Sequence, residues 1–347
     1  MNGVGSGRYL PHGGKSVIFF QLQKESYKFI GAMPTEREDR CMQIVEVIDT
    51  LPAGVLPCSY YVLKNATDVK SFHEKLKIPL RHPFSIYTVS LFTIRERMDR
   101  LLDLIVPLYT EPQAFKEQYT KLDTEIRDAT DSLLDALMEH FDDCENVLDC
   151  YLGKESQKLK RKIIKWKSYR DHVGKIVNQI KHQQRRVRTI LFYGADWAVP
   201  GYFIEGPLPG KIIGPDPLIH PGGETAFSFR RNLLFHLWGL YDASRCLSNG
   251  LSMINKRFAD IAPTSTTPEK EEEEWYKMIC RVEALNPLVF PDEAQKQNIV
   301  VTIKDGRLRV EHSSKDKAHT VPSCEVTFLH IVDGMSPNFK VPYYPKH

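Results

Sequence analysis

The sequence predicts a mainly α protein of the α+β class, a helical bundle organised by one long antiparallel helical hairpin. Three observations predict it. From Phe115 onward, apolar or small residues recur in steps of three and four, with one extra step of four near His140: Phe115, Tyr119, Leu122, Ile126, Ala129, Leu133, Ala136, His140, Cys144, Val147 and Tyr151. Gly153 then supplies the residue that commonly ends a helix in the left-handed region. The period resumes through Leu159, Ile163, Trp166, Arg170, Val173, Val177, Ile180, Gln184, Val187 and Leu191. Two arms of about 38 residues, each about 57 Å long and joined by a tight turn, must fold back on each other.

The remaining elements follow in order. Residues 1–16 read as a polar, glycine-rich tail, and 17–90 as a small α/β unit. Within that unit, 17–30 reads as a strand, and Thr35 and Glu38 have capping-box spacing ahead of a helix over Cys41, Ile44, Val45 and Ile48. A second strand is expected near Val55–Leu63 and a short helix over Asp68–Lys77. The bundle spans 91–262. It opens with an amphipathic helix, Phe92 to Leu108, that Pro107 and Pro112 should break, and continues with the hairpin over 112–194. Residues 196–225 hold six prolines, so they are expected as a structured loop or β-hairpin. A helix over 225–258 follows, apolar on nearly every face in FSFRRNLLFHLWGLY, as a buried bundle helix should be. Residues 263–274 (PTSTTPEKEEEE) read as an acidic linker. Residues 275–347 read as a short helix, a hairpin of Ile299–Lys304 and Arg307–Glu311 turned by Asp305-Gly306, and a last strand, Glu325–Val332, completing a small sheet.

Bulk properties exclude several classes. With 347 residues, 42% hydrophobic and 26% charged, the chain can bury a sizeable core. A net charge of +3 implies neither nucleic acid nor membrane by itself. Seven scattered cysteines, never spaced CxxC, form neither a disulfide framework nor a zinc motif. The amino-terminal stretch lacks a signal-peptide pattern and no apolar run is long enough to span a bilayer. The expectation is a cytoplasmic protein with free thiols, no cofactor and no membrane partner. Gly13–Ser16 (GGKS) is not a phosphate loop, because Tyr9 stands where its first glycine belongs and the strand follows rather than precedes.

Charge along the hairpin is lopsided. Glu111–Asp149 holds 12 acidic against 3 basic residues, and Lys154–Arg188 holds 13 basic against 2 acidic. Either the two arms pair through these flanking charges, or Lys158, Arg161, Lys165, Arg185, Arg186 and Arg188 present a basic surface to phosphates. His140 and Cys144, one turn apart, could reach one metal, but nothing nearby supplies a third and fourth ligand, so they read as seam residues and no metal is expected.

The most specific motif lies on the buried helix. Arg231-Asn232, followed after three residues by His236, resembles the motif of the HEPN superfamily of helical nucleases and nucleotide-binding proteins. Asn178 and His182 repeat the spacing, with Val177 in place of the Arg. The resemblance covers about residues 91–262. It implies metal-independent cleavage of RNA, with His236 as general acid or base, Arg231 holding the scissile phosphate, Asn232 orienting the pair, and a site assembled across a homodimer. A bacterial toxin or phage-defence role would follow.

Physical chemistry alone leaves other readings open. Polar residues on a helix buried on all sides need partners or a task, and a satisfied network would equally make the chain a non-catalytic interaction or scaffold protein. A third option is a nucleotide-binding module in which the proline-rich loop covers a cleft through Trp197, Tyr202, Phe203 and His220. Geometry separates the first two: an enzyme needs Arg231 and His236 lining an open cleft, whereas a scaffold buries and pairs them.

Overall fold

A computed structural model describes residues 16–21, 51–65, 81–110, 115–152, 157–193, 197–254, 256, 258, 269–313, 318–320, 327–332 and 338–343. The chain is mainly helical with a mixed set of small sheets. In order, the first elements are β1 (Ser16–Gln21), α1 (Cys58–Lys64), α2 (Pro83–Thr110), α3 (Phe115–Leu152), α4 (Gln157–Ile163) and α5 (Lys167–Gln183). Then come β2 (Val187–Tyr193), β3 (Ala198–Leu208), β4 (Ile212–Pro215), β5 (Phe227–Ser228) and α6 (Phe229–Ile254). The last are α7 (Lys270–Ala284), β6 (Leu288–Val289), β7 (Asn298–Lys304), β8 (Arg307–Ser313), β9 (His319–Thr320) and β10 (Thr327–Val332), with 3-10 turns at Pro221–Gly223 and Pro291–Gln295.

The heptad of α3 is buried from Ile126 through Ala129, Leu133, Ala136, His140, Cys144 and Val147 to Tyr151. A second row, Thr130, Leu134, Leu137, Phe141 and Leu148, is buried beside it. Two rows are needed because α3 lies between two antiparallel partners. On one side is α2, where Ser90 Oγ lies 2.9 Å from His140 Nδ1. On the other is α5, tied by Arg170–Asp142 at 2.5 Å and Lys181–Asp135 at 2.9 Å, and beyond it Lys160 of α4 at 2.8 Å from Asp149. Pro107 does not end α2. It sits in the last turn, where it removes one hydrogen bond, while buried Ile105 and Leu108 hold the backbone helical.

The second arm of the hairpin is shorter than its heptad suggests. It breaks at residues 164–166, resumes as α5, and ends where Gln184 turns left-handed at φ 52°. Val187 and Leu191 therefore belong to a strand, not a helix. A step of four residues preserves the buried face in both conformations, so the pattern continues across the change. In β2 the alternation is of period two: Val187, Thr189 and Leu191 face the helices, while Ile190 and Phe192 face away into a second cluster with Trp197, Val199, Phe203 and Phe290.

The sheet runs β1-β10-β2-β3-β4, with β5 also on β3, and all its pairs are antiparallel. The proline-rich stretch thus forms β3 and β4 and a 3-10 turn. This topology corrects three expectations. The stretch 17–90 is not a separate unit, because β1 extends the central sheet and α1 packs on α6, where Ser59 N donates to Ser244 Oγ at 2.8 Å. The expected strand Val55–Leu63 is largely helix α1, whose Tyr60, Tyr61, Val62 and Leu63 are all buried because neighbours surround it. The final strand, β10, joins β1 and β2 rather than the β7–β8 hairpin. That hairpin turns at Asp305 (φ 54°) and Gly306 (φ 68°), the double positive φ of a type I′ turn.

The acidic run also differs from a free linker. Glu269 caps α7 reciprocally with Glu272, and Glu269 accepts from Tyr60 Oη at 3.0 Å and Glu272 from Tyr61 Oη at 2.5 Å. The capping-box helix after Thr35, the Asp68–Lys77 helix and residues 1–15 of the tail lie outside the described residues.

Candidate functional site: the polar centre of α6

Helix α6 starts on a carboxylate supplied by another element. Glu293, 1% exposed, accepts from Ser228 N at 3.2 Å and from Phe290 N at 3.1 Å. Its oxygens thus take up an amide hydrogen that a helix start leaves without an intrahelical partner. One and two turns further on, Asn232 and His236 face α5 and β3. His236 Nε2 lies 2.9 Å from Asn232 Oδ1, His236 Nδ1 lies 2.6 Å from Tyr169 Oη, and Tyr202 Oη donates to Asn232 Oδ1 at 2.9 Å.

These distances assign the protons. An amide oxygen only accepts, so Nε2 carries the hydrogen and donates to Asn232. Nδ1 is then the lone pair that accepts from Tyr169. Both ring nitrogens are engaged inside the core, where His236 and Tyr202 are 1% exposed, Tyr169 4% and Asn232 7%. Burial first, and His172 second, push the His236 pKa down to about 3, so the ring is neutral at physiological pH.

Arg231 does not join this network. Five residues from His236, it projects about 140° away around the helix, and its guanidinium donates to Gln297 O at 3.0 Å, at the start of β7. Burial lowers its pKa from the usual value, with the nearby Glu293 acting in the opposite sense. The structure therefore unites Asn232 and His236 and sends Arg231 to another face. The echo, Asn178 and His182, lies exposed on α5.

The basic residues divide in the same way. Lys158, Arg161 and Lys165 are exposed, as is Arg186. Arg185 lies 3.8 Å from Asp216, and Arg188 is buried with its Nε 2.7 Å from Glu205. The change from helix to strand at Gln184 sets Lys158, Arg161 and Lys165 apart from Arg185, Arg186 and Arg188. The four loop residues expected to cover a cleft are core: Trp197 is 4% exposed, Tyr202 1%, and Phe203 and His220 0%. His220 Nε2 accepts from Ile204 N at 2.9 Å and so ties the loop to β3. His140 is likewise committed, with Ser90 on one nitrogen and Cys144 Sγ 3.6 Å from the other.

Tyr202, expected as a loop contact over a cleft, instead completes the centre with Tyr169 and Glu293, neither of which was singled out from the sequence. Tyr169 sits one place off the heptad seam, and Glu293 lies in a short polar turn with no pattern to mark it. No family model, no curated protein and no solved structure matches this chain.

The buried imidazoles set an expected pH dependence. Burial holds His140, His220 and His236 down at about 3, from 6.5. Below pH 6.5 the unfolded chain takes up protons at these rings that the folded chain refuses, so stability falls on acidification. Burial raises Glu293 and Asp131 to about 7, from 4.5 and 3.8. They bind protons more tightly when folded, which opposes the loss until pH falls below their ordinary values. Urea unfolding should show a shallow decline in stability from pH 6.5 to 4.5 and a steep one below. A flat profile down to pH 4 would contradict neutral, buried imidazoles.

Proposed function

We propose that this chain is a non-catalytic interaction protein, a HEPN-like helical bundle in which Asn232 and His236 lock α6 to α5 and β3. One observation carries the reading. His236 has both ring nitrogens hydrogen-bonded inside the core, to Tyr169 and Asn232. A general base or acid must reach its substrate and titrate near the working pH, and a neutral ring with a pKa of about 3 does neither. The direction of Arg231, towards Gln297, supports the same reading, since no phosphate held there would lie beside His236. Among the described residues no helix is long and apolar enough to cross a membrane. A cytoplasmic setting belongs to the same proposal, consistent with free Cys58, Cys144, Cys150, Cys246 and Cys280.

The test is incubation of purified protein with labelled single-stranded RNA in EDTA, beside His236→Gln. No cleavage by either protein is expected. Cleavage by the wild type that His236→Gln removes while keeping the fold would establish the ribonuclease instead. It would require the α6 centre to open in the active form, for instance across a homodimer.

A further inference from the structure

We propose that the outward face of α4 and the start of α5 is a docking surface for the phosphate backbone of a single-stranded nucleic acid, gripped without regard to base sequence. This deepens the interaction-protein reading and rests on it. From Gln157 through Arg170 the chain contains seven cations and no acidic residue. The fold sorts them into two sets. Lys160 and Arg170 turn towards α3, where Glu145, Asp149 and Asp142 neutralise them. Lys158, Arg161, Lys162, Lys165 and Lys167 are exposed and enter no ion pair among the described residues. The acidic helix thus mutes the inner cations and leaves the outer ones to set the local field.

Spacing and support suit that partner. Lys158, Arg161 and Lys162 follow helical i, i+3, i+4 steps on one face of α4, and Lys165 continues the run in the break before α5, a stripe of cations that a flexible strand can follow. It stands on a fixed base: Ile163 fills the space over Gly250 of α6, where an added Cβ would lie 2.4 Å from its Cγ2, and Trp166 is 1% exposed. Tyr169 is buried as well, so the stripe offers no aromatic platform for stacking bases. Among the described residues the exposed large hydrophobics, Val89, Leu218, Met253 and Ile303, all lie off α4 and α5. The stripe therefore lacks the apolar face that an interfacial membrane helix inserts. Charge is then what the stripe recognises, and a run of phosphates along a strand supplies it at regular spacing.

The experiment is fluorescence anisotropy of a labelled oligothymidylate DNA of about 20 nucleotides with the full chain at graded salt. Three to four phosphate contacts give a logarithmic salt slope of about −2 to −3, or about 20- to 50-fold weaker binding between about 50 and 200 mM salt. The exposed triple variant Lys158→Glu, Arg161→Glu, Lys165→Glu should bind at least about tenfold more weakly with a flattened slope, while keeping its thermal melt. Lys160→Gln with Lys181→Gln, which removes cations already paired to Asp149 and Asp135 of α3, should change binding less than about twofold. The surface is refuted by no binding at the lowest salt, by equal losses in both variants, or by an unchanged triple variant. Preferential capture by phosphatidylserine vesicles over the oligonucleotide would refute it in favour of a membrane. Because DNA lacks the 2′-hydroxyl, RNA cleavage by the wild type would overturn the non-catalytic reading without bearing on this binding result.

Discussion

Replacing His236 by alanine is expected to lower the unfolding free energy by about 3–5 kcal/mol. Two losses combine. The imidazole is 1% exposed, so its removal leaves a cavity that α5, α6 and β3 can only partly close. It also strips Tyr169 Oη of its acceptor and Asn232 Oδ1 of one donor, in a region without water access to replace them. A smaller change isolates the second part. Tyr169→Phe keeps the ring against Phe141 and Phe235, 5.0 and 5.1 Å away, and deletes only the hydroxyl. It should lose about 1–2 kcal/mol. The double variant should lose less than the sum, with a coupling energy of about 1 kcal/mol or more. Urea denaturation of the four proteins decides the matter. Strict additivity, or a His236→Ala loss below about 1 kcal/mol, would show that the ring is not held as described and would reopen a catalytic role for it.

The same residues show how far the sequence could be read. The α3 heptad was legible because a long helix buried on two sides repeats its signal many times. The Asp305-Gly306 turn was legible because only a few residue pairs tolerate positive φ twice in succession. The end of α5 was not legible. Val187 and Leu191 keep the step of four that helix and strand share, and no glycine or proline stands at Gln184 to announce the change. Helix α1 was misread because Tyr60, Tyr61 and Val62 favour strands locally, and only the surrounding helices make four successive buried residues compatible with a helix. In the polar centre, Asn232 and His236 were visible as polar residues on an apolar helix. Their partners were not, because Tyr169 and Tyr202 arrive from distant parts of the chain and no local pattern encodes the meeting. The direction of Arg231 follows from helix geometry, since a spacing of five residues does not keep a face. That fact alone could have separated it from His236 in advance.

Gly201→Ala is expected to be more damaging than ordinary overpacking, which costs about 1–3 kcal/mol. Gly201 lies on β3 between Ile190 of β2 and Ser228 of β5. A Cβ there would lie 2.2 Å from Phe227 O and 2.5 Å from the Phe290 ring. The ring could shift, but the carbonyl belongs to backbone that leads directly into α6. Moving it also displaces Ser228, whose amide is held by Glu293, so the strain reaches the helix that carries Asn232 and His236. Gly174→Ala is the matched contrast. It lies inside α5, its nearest contact is the flexible end of Met138 at 3.4 Å, and alanine in a helix interior is worth about 0.5–1 kcal/mol over glycine. That variant should be neutral or slightly stabilised. Thermal melts of the two proteins, read beside their tyrosine and tryptophan fluorescence, separate the cases. If Gly201→Ala melts with Gly174→Ala, then the close approach of β3 to β5 does not set the start of α6, and the polar centre is positioned by its own contacts to Tyr169 and Tyr202.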